Sequence, residues 1–302
     1  MNIYPNFLGN NTVTIFLFHG IIKKNKHHIR NYTQKHILVD RFYTILKELQ
    51  KVGGHPVSMT DIITAMKGKT QLPKRAFAIT FDDGFENNYS VAAPVLEDLK
   101  IPATFYITTG FIENNTGSWI DSIEYGVEKV SGFHLRSKLL ELNGYYETKS
   151  EKIELLNQIR KIVKNDSQID PYEFADCILD QLGIKSIELD PDLDQKLNWH
   201  QIKLMASNEL FTIGGHGHTH RVLAYLEEPE LKNEIVTSLE KLNFHLNTPI
   251  QHYSYPEGLS HCYSQKTITF LKEEGIICSP SAEPGVNSIG DDLFHLKRIM
   301  VI

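Results

Sequence analysis

Ala76-Phe77-Ala78-Ile79-Thr80-Phe81-Asp82-Asp83-Gly84 is an apolar run that ends in two adjacent carboxylates and a glycine. The run predicts a buried strand, and Gly84 opens the turn beyond it. Neighbouring carboxylates repel each other and fill a core badly. They suit a division of labour in which one holds a metal ion while the other handles a proton. An isolated Asp-Asp also serves to open a loop or cap a helix, so the reading turns on whether the chain supplies further metal ligands.

Outward from this run the pattern is alternating. Residues 12–18, rich in β-branched and aromatic side chains, predict a strand that ends at His19-Gly20. Residues 39–52 have helical spacing, with Phe42, Ile45, Leu46 and Leu49 on one face and a stop at Gly53-Gly54. A short strand at 56–58 and a helix at 60–66 lead to the strand before Asp82. A helix over 88–99 and a strand over 101–107 follow. From about 113 to 195 charged, helix-forming stretches take over, chiefly 151–164 and 171–182, which predicts a helical insertion. The alternation then resumes with a helix at 199–206, a strand at 210–213, a helix at 229–246 and strands near 252–255, 276–278 and 296–302. Strands alternating with helices predict an α/β body on a parallel sheet, open or closed into a barrel. The expected organisation is a single domain, 1–302, carrying the insertion.

Composition bounds the function. The 302 residues are 41% hydrophobic and 23% charged with a formal net charge of −6, so no nucleic-acid footprint is expected. The basic patch Lys23-Lys24-Asn25-Lys26-His27-His28 reads as a solvated loop. Cys177, Cys262 and Cys278 have no ligand spacing, and so sparse, odd a count suits a reducing compartment. The start of the chain lacks a basic segment followed by an apolar one, and the apolar run at 13–17 is too short to span a membrane. The expectation is a cytoplasmic protein with no transmembrane segment.

The second chemical feature follows the strand at 210–213: Gly214-Gly215-His216-Gly217-His218-Thr219-His220. Neutral imidazole is the commonest ligand of zinc-like ions. In an extended segment the three histidines share a face; in a tight turn His216 and His220 meet while His218 points away. The glycines favour the turn. This loop and Asp82-Asp83 both follow apolar strands of one α/β body, where ligands bind at strand ends.

Phe81-Asp82-Asp83-Gly84, Pro102-Ala103-Thr104-Phe105-Tyr106 and Ile213 to His220, in this order, resemble the polysaccharide deacetylase family. This is the NodB-homology fold of carbohydrate esterase family 4, a deformed (β/α) barrel. The resemblance covers residues 12–112 and 196–302 and leaves the insertion outside. It implies a divalent metal, zinc or another ion, held by Asp83, His216 and His220, with Asp82 as general base. In the branch of biofilm-polysaccharide deacetylases the general acid is a histidine after the first strand. Phe18-His19-Gly20 resembles that motif, and His19 is preferred over His295, the counterpart of a C-terminal histidine used elsewhere in the family. Ser254-Tyr255-Pro256-Glu257-Gly258 resembles a segment in which the backbone N–H at Tyr255 helps bind the oxyanion. Arg298 resembles an arginine that ends the catalytic domain in this branch; it is placed either to pair with Asp82 and keep it ionised or to form a simple structural salt bridge. Two departures stand out: Gly217 replaces the usual Ser or Thr, and Glu257 adds a negative charge.

The resemblance implies a metal-dependent hydrolase that removes an N-acetyl group from a sugar, glycan or glycoconjugate, with the oligomeric state left open. Deacylation of another small amide or ester is the close alternative, and a non-catalytic carbohydrate-binding homologue is the contrasting one.

Overall fold

The computed structural model describes residues 3–138 and 141–302, so the first two residues of the N-terminal segment lie outside the described residues. Two compact units emerge: Met1–Lys24, Lys35–Thr116 and Asp192–Ile302 form the first, and Asn25–Gln34 with Gly117–Pro191 the second. No helix among the described residues is long and apolar enough to cross a membrane.

The first unit is built on a seven-stranded sheet. Strands β1 (Thr12–Phe18), β5 (Ala76–Phe81), β6 (Ala103–Ile107) and β9 (Phe211–Gly215) run parallel in that spatial order. β4 (His55–Pro56) pairs with the start of β5, while β10 (Asn287–Ser288, antiparallel) and β11 (Ile299–Met300, parallel) pair with β1. A separate parallel pair joins β2 (Gly20–Ile22) to β3 (His36–Leu38). Helices α1 (Val39–Lys51), α2 (Met59–Met66), α3 (Ala93–Leu99), α4 (Thr109–Asn114), α8 (Trp199–Ala206), α9 (Glu228–Leu246) and α10 (Gln265–Glu273) complete the unit. A π-turn at Asn88–Ala92 precedes α3, so the expected helix over 88–99 is wound in two ways. The strands expected near 252–255 and 276–278 reduce to isolated bridges, Gly215 with Tyr253 and His252 with Cys278.

β1 and β5 are buried along both faces, which explains why they read as continuous apolar runs. Phe16, Phe18, Phe77, Ile79 and Phe81 face the main core, while Val13, Ile15, Ala76 and Ala78 pack with Val57, Met59, Ile62 and Ile63 on the other side. Aromatic rings then tie the strands together at one end. Phe81 stacks between Phe18 (5.4 Å) and Phe105 (4.9 Å), Phe105 meets Phe211 edge-on at 5.4 Å, and Phe42 of α1 packs on Phe18 and Phe81. Phe18, Phe81 and Phe105 are also register partners across the sheet. This row therefore fixes where the next residue of each strand emerges.

The second unit holds α5 (Trp119–Lys129), α6 (Lys149–Val163), α7 (Pro171–Gln181) and an antiparallel hairpin of β7 (Phe133–Ser137) and β8 (Leu142–Tyr146). Its core includes Trp119, Ile123, Val127, Leu155, Leu156, Ile159 and Ile178. The hairpin departs from the all-helical expectation. The patch at 23–28 is exposed as expected, except at His27, which is partly buried. His27 bonds Glu128 (2.7 Å) and Asp190 (3.2 Å), and Glu128 accepts the backbone N–H groups of His28, Ile29 and Arg30.

Because Phe81 is central to the aromatic row, Phe81→Ala should cost about 3–5 kcal/mol in a urea unfolding measurement. A loss below ~1 kcal/mol would mean the row does not set the strand ends.

Candidate active site

β5 delivers Asp82 directly beyond Phe81, and its N–H donates to the Phe18 carbonyl at 3.0 Å. The carboxylate is buried and meets Arg298 in a two-pronged pair: Nη1 donates to Oδ1 at 2.9 Å and Nη2 to Oδ2 at 2.8 Å. The guanidinium is itself 1% exposed, and its remaining N–H groups donate to Ser281 O, Thr80 Oγ1 and Ser254 Oγ. All its donors are thus used, the condition under which a buried charge pair is tolerated.

Asp83 turns the other way. It takes φ of +77°, rare for a residue with a Cβ, and is 2% exposed. Its Oδ1 lies 3.2 Å from His220 Nε2 and 3.6 Å from His216 Nε2, while Lys35 Nζ lies 2.9 Å from Oδ2. The histidine loop resolves the two pairings left open by the sequence. His216 and His220 come together with ring centroids 5.0 Å apart. His218 points away and pairs through Nδ1 with Thr109 Oγ1 at 2.9 Å.

The loop is clamped from two elements. The start of α4 supplies Thr109 N–H to Gly217 O, Gly110 N–H to His218 O, and Thr108 Oγ1 to His216 O. Glu234, buried on α9, accepts the N–H groups of His218 (2.7 Å) and Thr219 (2.6 Å) through Oε1 and the Thr219 hydroxyl through Oε2. Gly217 is explained here. It has φ of +79°, and a Cβ would stand 2.8 Å from Glu234 Oε1. The support expected from a Ser or Thr at 217 comes instead from Thr219 and Glu234.

Of the remaining expected residues, His19 lies at the end of β1 within the electrostatic reach of Asp82, Asp83, Lys35 and Arg298. His295 is exposed and pairs with the Tyr263 hydroxyl. Tyr255 is buried, stacks on Tyr263 at 3.9 Å and donates its hydroxyl to Phe294 O. Its neighbour Ser254 links the two halves of the site, since its carbonyl faces His216 Nδ1 at 2.8 Å and its hydroxyl faces Arg298. Glu257, with φ of +60°, acts on His220 through its charge.

The charges shape the titration. Burial pushes both aspartates up, but Arg298 and His216 bring Asp82 below its usual range, and Lys35 and His220 hold Asp83 well below it. Burial lowers His216 despite the pull of Asp82, whereas Asp83 overcomes burial and raises His220. His19 falls to about 4 because burial, with Lys35 and Arg298, outweighs the two aspartates.

The residues fit a divalent cation. Ligand atoms of Asp83, His216 and His220 lie within 4.8 Å of one another. Asp83 Oδ1 is buried and accepts no hydrogen bond. The Ser254 carbonyl can only accept, so His216 carries its proton on Nδ1 and turns a bare Nε2 lone pair inward. One carboxylate oxygen and two imidazole nitrogens are a donor set for zinc-like ions.

Sequence reasoning missed Lys35, Ser254 and Glu234. Glu234 had a signal, for it sits in the apolar stripe of α9 among Leu231, Ile235, Ser238 and Leu239. Lys35, in a polar segment before β3, had none.

Two outcomes are expected. Glu234→Ala, which strands two loop N–H groups, should weaken metal binding about 10–100-fold and lower stability by about 1–3 kcal/mol, read by metal titration and thermal melting. For pH, His19 titrates at about 4 folded against 6.5 unfolded. Between these values the unfolded chain binds the extra proton, so its contribution to stability is complete above 6.5 and is lost as pH falls towards 4. Melting temperatures of metal-free protein should show a shallower acid decline for His19→Gln than for wild type; equal slopes would contradict this.

The match to known proteins follows the same residues. The family model described as "Polysaccharide deacetylase" matches residues 69–277. The poly-beta-1,6-N-acetyl-D-glucosamine N-deacetylase of Escherichia coli (strain K12) is 32% identical over 87 residues, 27% of this chain and 12% of that protein. The enzyme of the same name from Staphylococcus aureus (strain MSSA476) is 30% identical over 118 residues, 39% of this chain and 37% of that protein. The chain therefore matches well under half the length of these relatives. The fold is shared more widely. The Streptococcus pyogenes deacetylase PplD, in complex with acetate, superposes with a TM-score of 0.62 at 16% identity, over 96% of this chain and 92% of that one. IcaB from Ammonifex degensii gives 0.61 at 17% identity, over 98% and 94%. The parallel-stranded α/β body is the deformed (β/α) barrel of these deacetylases. With the family model spanning more than half of its length and containing both the aspartate pair and the histidine loop, the chain belongs to the polysaccharide deacetylase family.

Proposed function

We propose that this protein is a metal-dependent carbohydrate N-deacetylase acting on an N-acetylglucosamine-containing glycan. One observation carries the reading: a carboxylate held ionised by Arg298, Asp82, stands beside a three-residue donor set, with Asp82 Oδ2 3.8 Å from His216 Nε2. Asp83, His216 and His220 are the proposed ligands, and the second unit is read as an insertion in one catalytic domain. A bound divalent ion would supply Lewis acidity to the acyl oxygen and make water easier to deprotonate.

The chain's own groups supply the rest. Asp82, fixed by two hydrogen bonds, takes a proton from the attacking water. Tyr255, beside Ser254, is the proposed backbone donor to the oxyanion. His19 is the proposed proton donor to the departing amine, favoured over His295 by its position among the aspartates. It is neutral at neutral pH, so the proton it delivers is the one released by water and passed through Asp82. A depressed pKa makes the resulting imidazolium a strong acid, which suits a poor leaving group.

The relatives' printed names, which specify poly-beta-1,6-N-acetyl-D-glucosamine, support an N-acetylglucosamine glycan as the substrate class. The cytoplasmic location expected from the cysteine usage would suit a glycan still being assembled, a lipid-linked intermediate or a nucleotide sugar better than an exported polymer. Acetate release measured across a panel from nucleotide sugars to the polymer separates these substrates. Asp82→Asn should lower that release about 10²–10⁴-fold with the metal retained, whereas Asp83→Ala should lose the metal. Unchanged turnover in Asp82→Asn would remove it as the base.

A further inference from the structure

Each aspartate of the pair has its own cation. Arg298 covers both oxygens of Asp82, whereas Lys35 meets Asp83 at Oδ2 alone, 2.9 Å away. Lys35 is anchored on its own side of the site. It immediately precedes β3, whose His36 is in register with Gly20 of β2 and packs edge-on against Phe85 at 4.4 Å. Its ammonium stands 4.9 Å from the centroid of the Phe85 ring, and the side chain is only 18% exposed. Phe85 follows Gly84, so the turn that carries Asp83 also carries the aromatic face that receives the ammonium.

We propose that Lys35 is a positioning and affinity-setting residue of the metal site: it occupies Oδ2 of Asp83, leaves Oδ1 alone for the cation, and keeps the affinity for that cation below what an uncompensated carboxylate would give. This rests on the reading of Asp83, His216 and His220 as ligands. The physical basis is charge. With Arg298 and Lys35 in contact, the negative charges of the two aspartates are already balanced before a divalent ion arrives. The ion and the ammonium then share one carboxylate, and in a buried site with low effective dielectric their repulsion is strong. Geometry gives the second part. An oxygen engaged by an ammonium is withheld from a chelating carboxylate, and Oδ1 is the atom that faces the Nε2 atoms of His216 and His220, 3.6 and 3.2 Å away. Weaker donation from a half-neutralised carboxylate leaves the bound ion a stronger Lewis acid, so the lysine would exchange affinity for reactivity.

The sign of the effect separates this role from a structural ion pair. If Lys35 only braced Asp83, its loss would loosen the ligand and weaken metal binding. If it opposes the cation, its loss tightens binding. The test is zinc titration of the metal-stripped full chain in competition with a chromophoric chelator, with thermal melting as a check on folding. Lys35→Met should lower the zinc dissociation constant at least tenfold, and Lys35→Arg, which keeps the charge, should stay within threefold of wild type. Should the methionine variant not fold, Lys35→Gln, which keeps a donor for Oδ2 without the charge, is expected to shift in the same direction. Equal or weaker binding by the uncharged variants, or tightening by Lys35→Arg, overturns the proposal while leaving the ligand set intact. If wild type itself binds no zinc, the ligand reading fails and this inference falls with it.

Discussion

The buried pair between Asp82 and Arg298 is the constraint on which the rest of the site depends. It links residues 216 apart in sequence and draws in Thr80, Ser254 and Ser281. Removing one partner of such a pair typically costs about 3–5 kcal/mol, because the other is left charged and dry. The same contact that closes the β11 edge against the centre of the sheet therefore also keeps the carboxylate ionised and aimed. Stability and chemistry meet in one guanidinium, and neither can be altered alone.

A second constraint is backbone strain around Asp83 and the histidine loop. Asp83, His220 and Glu257 all take positive φ despite carrying Cβ atoms. Such residues cost of order 1–3 kcal/mol each and persist only where surrounding contacts over-determine them. Those contacts are visible here. Lys35 holds Asp83 from one side, Phe111 stacks on His220 at 5.7 Å, and Glu234 fixes the loop between His216 and His220. Locally unfavourable conformations bring three donor atoms from two distant turns to one point.

Much of this was legible in the sequence, for identifiable reasons. Asp82, Asp83 and the histidines announce themselves because charged and imidazole groups at the ends of apolar strands have no packing role. The principal strands and helices of the first unit (β1, α1, β5, β6, β9 and α9) were readable from periodicity, and α8 (Trp199–Ala206) falls on its expected bounds, whereas the short β2, β3, α4, β10 and α10 were not foreseen. What stayed hidden depends on contacts between distant segments. The orientation of His218 is decided by Thr109 and Glu234, and nothing local distinguishes it from its neighbours. Lys35 is an ordinary lysine until β3 brings it to Asp83. The hairpin of the second unit was obscured by its charged surroundings, although Phe133 and Leu135 alternate with exposed His134 and Arg136 as a half-buried strand should.

The long span between Asp82 and Arg298 also has a temporal side. A ribosome adding about 5–20 residues per second needs roughly 10–40 s to travel from one to the other. The histidine loop emerges well before Arg298, so Asp82, Asp83, His216 and His220 are all synthesised while Asp82 still lacks its counter-ion. Throughout that interval the sheet cannot bury this aspartate in its final, paired form. Translation itself thus sets an order of appearance, with the aspartate pair and the histidine loop out before the arginine that neutralises Asp82.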